Sequence, residues 1–402
     1  MPSSEVKKTF SFPRFLTETI SFGALHSALF CTVLIPFLTN SGLLPLQLSI
    51  ILLARKLVRL LSDSVFGMAF DKFGPKPVFL IGRLLKLSAY FLFLLPASFE
   101  TYLLAVLVSG VSYSSIYGKV GAYIYNTLSA NGKVSLYPRA MSIYYFVMDI
   151  LLASMHFVAA GLFKIYGYNL LIYISIAMNI TTVLIIMRVV PNAKQSGLHN
   201  YQAKSFKAIW QTLFEVAKKH PEFLYLLVFY GLINFLSWQF GSVASMILLD
   251  MGYTASGIAI TGGACKIAMA VGCLVPMFVL HHGISIRRCC YVFTAFVAFA
   301  LATAICYNSI MMIAFMCGII LCYTTVEVSI ERTMDKVSDK RIRGTAISLA
   351  MTFCTIFTSS SIGLTGLIAQ YASYQAAFIV ITSIVIVLTL IVSFKLKEID
   401  KI

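Results

Sequence analysis

Stretches of mainly apolar residues, each about 20 long or longer, follow one another from end to end of this 402-residue chain. A bilayer's hydrocarbon core takes about 20 such residues to cross as a helix. Turn residues divide the sequence into twelve runs, at about 15–38, 44–70, 77–95, 101–129, 139–163, 168–189, 222–249, 254–280, 287–306, 309–331, 343–370 and 372–394. Apolar and polar residues do not alternate within them, which sets helices above a β-barrel. The first run is too long for a removable signal peptide and carries Glu18 and His26. Only 11% of residues are charged and 59% are hydrophobic, whereas an ordinary globular chain is about 25% charged. Too little polar material remains to cover a water-facing surface, so an all-α integral membrane protein of twelve transmembrane helices is expected.

Only one connection is long and polar. It lies at about 190–221, between runs six and seven, and holds Lys194, Lys204, Lys207, Lys218 and Lys219. The expected organisation is a six-helix bundle over 1–189, a cytoplasmic linker over 190–221 and a second six-helix bundle over 222–402. Within the linker Phe206, Ile209, Trp210, Leu213 and Phe214 recur at helical spacing, with Lys207, Gln211 and Lys218 off that face. Such a pattern fits an amphipathic helix lying on the membrane surface.

The net charge is +16, from 31 Lys and Arg against 15 Asp and Glu. In a soluble chain that excess points to nucleic acid. Here its distribution points to topology instead. Twenty-three of the 31 basic residues fall on the termini and the loops that share their side, Lys7, Lys8, Arg14, Lys72, Lys76, Lys133, Arg139, Arg287, Arg288, Arg341 and Arg343 among them. The other face holds Lys164 alone. By the positive-inside rule both termini are expected in the cytoplasm. Compact loops and no targeting segment suggest a bacterial inner membrane, a monomer and no nucleic-acid partner. The nine cysteines all lie in or beside apolar runs, so neither disulfide, metal nor cofactor is expected.

Seven basic residues remain inside or at the margins of the runs: Arg55, Lys56, Arg59, Arg83, Lys86, Lys119 and Lys266. A charge at mid-bilayer costs about 2.5–3.5 kcal/mol or more, so these must face one another or water. On run two Arg55, Lys56, Arg59 and Asp63 fall within one arc of about 100°; Arg59 is expected to hold Asp63. On run four Ser112, Ser115, Lys119, Tyr123 and Asn126 share a face, as do Ser142, Tyr145, Asp149 and His156 on run five. Run ten offers Tyr323, Thr324, Glu327 and Glu331; run one Glu18, Thr19 and His26; run seven Tyr230, Asn234 and Trp238; run eight Lys266. Run eleven carries Ser348, Thr352, Thr355, Ser359 and Gln370. Apart from Arg83 and Lys86, runs three, six, nine and twelve are apolar. The periodicity predicts an inner ring of helices around a wet cavity and an outer ring facing lipid.

Between runs two and three the chain reads Gly67-Met68-Ala69-Phe70-Asp71-Lys72-Phe73-Gly74-Pro75-Lys76. This resembles the loop signature of the major facilitator superfamily, Gly-x-Leu-Ala-Asp-Arg-x-Gly-Arg-Lys, with Pro75 at a usually basic position. The resemblance extends over essentially the whole chain. It implies that Gly67 lets helices pack closely and that Asp71 makes charge contacts holding the cytoplasmic side closed. The matching loop after run eight, from His281 to Arg288, has no aspartate. Two departures weigh against a generic drug exporter: run five lacks the Gly-Pro of the antiporter motif, and Lys119 stands in place of the run-four arginine of many proton-coupled members.

The expected function is secondary active transport of a small anionic or zwitterionic solute, such as a carboxylate-bearing metabolite, amino acid or siderophore, by alternating access. Candidate solute ligands are Arg55, Arg59, Lys119, Lys266, His26, Asn234 and Trp238, because the arginine fork suits carboxylate or phosphate. Proton coupling needs carboxylates or histidines whose affinity can shift with access; Glu327, Asp149, His156 and Glu18 qualify. Gating falls to Gly67, Asp71, Lys72, Gly74, Lys76, Asp63 and Glu331. Aligning the halves at Gly110 and Gly318 sets Lys119 opposite Glu327, an attraction of about 4 kcal/mol at about 4 Å before desolvation. The alternatives are an exporter of neutral or cationic compounds, if Asp63, Asp149 and Glu327 neutralise the bases, and a non-transporting receptor on the same fold. No paired acid and histidine motif suggests an enzyme.

Overall fold

The computed structural model describes residues 11–24, 29–116, 119–191, 221–238, 242–279, 286–305, 308–337 and 343–395. Of these, 24, 64, 71, 138, 221–227, 237–238, 275–279, 286–290, 303, 325–337, 343–353 and 393–395 are described by backbone alone. They form α1 (Phe12–Ala24), α2 (Leu29–Thr32), α3 (Leu34–Asn40), α4 (Pro45–Phe73), α5 (Pro75–Phe93), α6 (Phe99–Ser114), α7 (Lys119–Ala130), α8 (Tyr137–Val189), α9 (Pro221–Trp238), α10 (Ala244–Asp250), α11 (Ala255–Val279), α12 (Ile286–Ile305), α13 (Ser309–Val337), α14 (Arg343–Tyr371) and α15 (Tyr374–Lys395). No strand occurs among the described residues. The linker helix expected over 206–214 and the histidines at 281 and 282 lie outside them.

Every expected run falls on a helix, and the start and stop signals are local. Pro45 and Pro75 occupy the first turns of α4 and α5, where the missing N–H costs nothing. Ser98 caps α6 by accepting from the Thr101 N–H at 3.1 Å. Gly74, at φ +84°, makes the single-residue turn between α4 and α5, a conformation that side-chain-bearing residues avoid. Gly167, at φ +71°, breaks the 53 residues of α8 between runs five and six.

Runs one and four are expected to be continuous and are broken, at Val33 and at Ser115. In run four Ser115 donates its hydroxyl to the Ser112 carbonyl at 2.7 Å, and its backbone N–H goes to the same oxygen at 3.2 Å. A hydroxyl competing for a backbone acceptor favours a tight turn over a continuing helix. On length and composition alone, four stretches among the described residues qualify to cross a bilayer: Phe99–Ala130, Val134–Val189, Ala255–Leu274 and Tyr374–Val392. α4 does not, because it carries Arg55, Lys56, Arg59 and Asp63.

Helices before and after the linker meet along a seam in which α4 packs on α14, α8 on α11, and α3 on α10. One apolar core crosses this seam, running from Leu29 through Tyr90 and Phe229 to Phe378. A second lies among α1, α4, α5, α7 and α8 around Phe22, Phe79, Tyr123 and Ile186. The bundle thus has two ends: one with the start of α1, the end of α15 and the Gly74 turn, the other with the turns at Gly42, Gly167 and Gly252.

Candidate functional site

The seam carries its charge where α8 meets α11. Asp149 is 12 residues into α8 from the terminal end, and Lys266 is 11 residues into α11 from the opposite end. At about 1.5 Å per residue both sit near mid-depth, and Lys266 Nζ lies 3.2 Å from Asp149 Oδ1. Both are largely buried, at 30% and 10% side-chain exposure. One step toward the opposite end, His156 packs on Gly262, whose absent side chain would meet the imidazole at 2.6 Å. Phe157 lies on Gly263, and Ser256 donates to the Ala160 carbonyl at 2.8 Å. Asp149, His156 and Lys266, expected separately from two helix faces, therefore form one cluster.

A second charged group lies on α4. Lys119, at the start of α7, donates to Asp63 Oδ1 at 2.5 Å and to the Asp63 carbonyl at 3.1 Å. Two expectations are corrected here. The ion pair of Asp63 is with Lys119, because the break in run four turns that lysine back toward α4. Arg59 instead lies over the Tyr113 ring, 4.4 Å from its centre. Lys119 is correspondingly committed within the N-terminal helices, and no solute or cross-seam partner is needed to account for its position. The alignment that set it opposite Glu327 also weakens: Gly110 faces Val58 and the Arg55 backbone on α4, whereas Gly318 faces Phe296 on α12. Equivalent positions would face equivalent helices.

Arg55 is half-buried at mid-depth and makes neither ion pair nor hydrogen bond among the described residues. Lys56, one residue on, lies within charge range of Cys354 on α14. Asn234 accepts from Tyr323 Oη at 3.1 Å and donates to the Tyr230 carbonyl at 3.0 Å, tying α9 to α13. Glu18 pairs with Arg14 at 2.9 Å on the exposed face of α1. The side chains of Trp238, Glu327, Glu331 and Asp71, and all of His26, lie outside the described residues.

Arg83 and Lys86, set apart on an otherwise apolar run, are not at a lipid-facing margin. They are 0% and 5% exposed. Lys86 donates to Ser109 Oγ at 2.8 Å, and Arg83 reaches the Phe22 carbonyl at 3.5 Å. Ser112 and Ser115, expected to line the cavity, instead pack on α5, where Ser112 donates to the Gly82 carbonyl at 2.7 Å.

The family model of the Major Facilitator Superfamily matches residues 19–359. The chain belongs to the major facilitator superfamily. It is therefore a multi-pass membrane transporter rather than an enzyme. Solved superfamily structures share its fold at low identity. A crystal structure of a mutant form of the nucleoside transporter NupG is 14% identical over 97% of this chain and 100% of that one, with a TM-score of 0.75. A POT family transporter in complex with 5-aminolevulinic acid is 11% identical over 96% of both chains, with a TM-score of 0.72. A bacterial homologue of the iron transporter ferroportin, in an inward-facing state, is 14% identical over 96% of this chain and 100% of that one, with a TM-score of 0.68. No curated protein matches the sequence.

The superfamily loop takes a definite local form here. Gly74 supplies the turn, and Lys76 donates to the Met187 carbonyl at 2.7 Å, at the end of α8, where a cation complements the helix dipole. Lys72 lies over Phe73, 5.2 Å from its ring centre. Among the described residues, nothing lies within 4 Å of where a Gly67 side chain would be. Among the described residues, close approaches across the seam include Gly262 and Gly263, under His156 and Phe157, and Gly366, where Ser49 of α4 occupies the space of a side chain. None of these glycines stands out in the sequence, because helix-interior glycines announce no partner.

Proposed function

We propose that this superfamily member is a secondary active transporter of a small anionic or zwitterionic solute, a carboxylate-bearing metabolite, amino acid or siderophore. It works by alternating access between two six-helix bundles, 1–189 and 222–402, with protons as the coupling ion. The support is a charge imbalance. Seven cations stand inside or at the margins of the runs, against six carboxylates within the run bounds: Glu18, Asp63, Asp149, Glu222, Glu327 and Glu331. Asp63 and Asp149 each hold a lysine. Glu18 is taken by Arg14, outside this set, and granting Glu222, Glu327 and Glu331 one cation each still leaves two in excess. A low-dielectric interior tolerates such an excess only where water or an anion reaches it. Arg55 and Arg59, with forked donors suited to oxyanions, are the proposed first contacts. The solved neighbours are named for a nucleoside, 5-aminolevulinic acid and iron, so the fold itself does not select the cargo.

The cross-seam contacts at Asp149, His156, Ser256, Gly366 and Gln370 all lie between mid-depth and the end away from the termini. With the basic end in the cytoplasm, this arrangement is closed to the outside. Protonation of Asp149 releases Lys266 and loosens the seam, which couples opening to the proton; His156 stands beside the same lysine. A thermal-shift screen with equal pools of carboxylates, amino acids, phosphates, neutral and cationic compounds tests the charge class. An anionic or zwitterionic pool is expected to raise the melting midpoint; stabilisation by neutral or cationic pools alone rejects it. For coupling, Asp149→Asn is expected to lose uptake driven by an imposed pH gradient, and undiminished uptake rejects that role.

A further inference from the structure

We propose that Lys86 and Arg55, together with Ser109, form the subsite that takes the acidic group of the solute, a carboxylate or a phosphate. This rests on the anionic reading above and locates it. It also moves the site inside the N-terminal helices, onto a residue that the run pattern assigns to the outer ring.

Four helices bring the subsite together at mid-depth. Arg55 is 10 residues into α4, Lys86 is 11 into α5 and Ser109 is 10 into α6, each roughly 15 Å from a helix end at about 1.5 Å per residue. Cys31 comes from α2. The Lys86 ammonium donates to Ser109 Oγ at 2.8 Å and lies 5.3 Å from the centre of the Tyr90 ring. The Cys31 thiol stands beside it, 3.7 Å from Tyr90 Oη. The strongest charge interaction of Lys86 is with the Cys31 thiol, followed by Arg55 and Arg83. No described residue offers it a carboxylate.

A lysine buried this deeply normally meets an acid, since an ammonium loses its hydration on burial and needs a counter-charge to recover it. Here, among the described residues, it meets no carboxylate, only the Cys31 thiol and two further cations, whose mutual repulsion in a medium of low dielectric adds to the cost. An ammonium has three N–H donors; Ser109 accepts one, and the others have only the Cys31 thiol and the Tyr90 ring, neither of which brings a full counter-charge. A bound oxyanion supplies the missing charge, takes donors from Lys86 and receives the fork of Arg55. Arg55 is half-buried and Lys86 is 5% exposed, which gives an order of approach: arginine at the mouth, lysine at the floor.

Cys31 provides a reporter within the site. In a variant keeping Cys31 as its sole cysteine, two methanethiosulfonate reagents are compared, one with a sulfonate tail and one with a trimethylammonium tail. Each forms a mixed disulfide with the thiolate and releases a sulfinate, so only the charge of the tail differs. The subsite predicts that the sulfonate reagent reacts at least tenfold faster, and that inorganic phosphate or succinate slows it; whichever protects identifies the source of the oxyanion. Equal rates, or no protection by either anion, overturn the subsite. Thermal shifts of the otherwise native chain then separate the two levels. If phosphate, succinate and the anionic pools all fail to stabilise the native protein, the anionic reading falls and the subsite with it. If they stabilise native protein and Lys86→Gln equally, the anionic reading stands and the subsite is wrong. Loss of stabilisation in Lys86→Gln with recovery in Lys86→Arg is the expected result. Should Lys86→Gln not fold, Ser109→Ala and the reagent comparison still decide.

Discussion

Asp149 and Asp63 each hold a lysine, at 3.2 and 2.5 Å, yet the surroundings differ more than the distances. The Asp149 side chain is 10% exposed and Asp63 is 42% exposed. Water screens the second pair, whose coupling belongs with surface pairs at about 0.2–1 kcal/mol. The first is desolvated on its acidic side, and removing one partner strands a buried charge. A double-mutant cycle with Asp149→Asn and Lys266→Gln is expected to give a coupling of about 2 kcal/mol, read from unfolding in detergent. The same cycle with Asp63→Asn and Lys119→Gln is expected to stay below about 1 kcal/mol. A reversed order would show that the seam pair carries no latch. The residue scale is also where the sequence was least legible. Spacing alone places Asp149 and His156 on one face of run five, but nothing along the chain says that Lys266 is what that face meets. The break near Ser115 likewise changes the partner of Lys119, and only tertiary packing reveals it. Lys86 did leave a signal: Gly82, Arg83, Lys86 and Tyr90 fall on one helical stripe, and a charged stripe cannot face lipid.

Helix boundaries were more legible because they rest on local chemistry. Pro45, Pro75, Ser98 and Gly74 mark ends that the apolar periodicity already implies. Interior breaks in runs one and four were not; in run four, a hydroxyl bonding back to its own backbone looks like any other serine in a sequence. Element packing gives a prediction of its own at Gly262 and Gly366. Leucine at either position has no room against His156 or Ser49 and forces α8 from α11, or α4 from α14. Distances between spin labels at Lys164 and Thr254 are expected to lengthen in Gly262→Leu, with transport falling roughly tenfold, an order of magnitude equivalent to about 1.4 kcal/mol. Gly161→Leu, on the same helix as His156 but with nothing within 4 Å, is the control and leaves both unchanged. Equal behaviour of the two variants would mean the close approach is incidental.

For the whole molecule, the length of the apolar runs and the sparsity of charge leave helices crossing a bilayer as the one arrangement that satisfies both, and the superfamily match agrees. The +16 charge divides into an orienting majority and a small interior set. The orienting part predicts that a cysteine introduced at Asn131 reacts with an impermeant thiol reagent from the cytoplasmic side only, and one at Lys164 only from outside. The interior part concerns the cargo, on which the fold is silent. Entrance counterflow in proteoliposomes tests that cargo most directly. Vesicles preloaded with the stabilising anion are expected to accumulate labelled anion transiently above equilibrium, at least tenfold more slowly in Arg55→Gln. Counterflow confined to neutral or cationic compounds, or an Arg55→Gln rate equal to that of the native protein, would contradict an anion-carrying cavity.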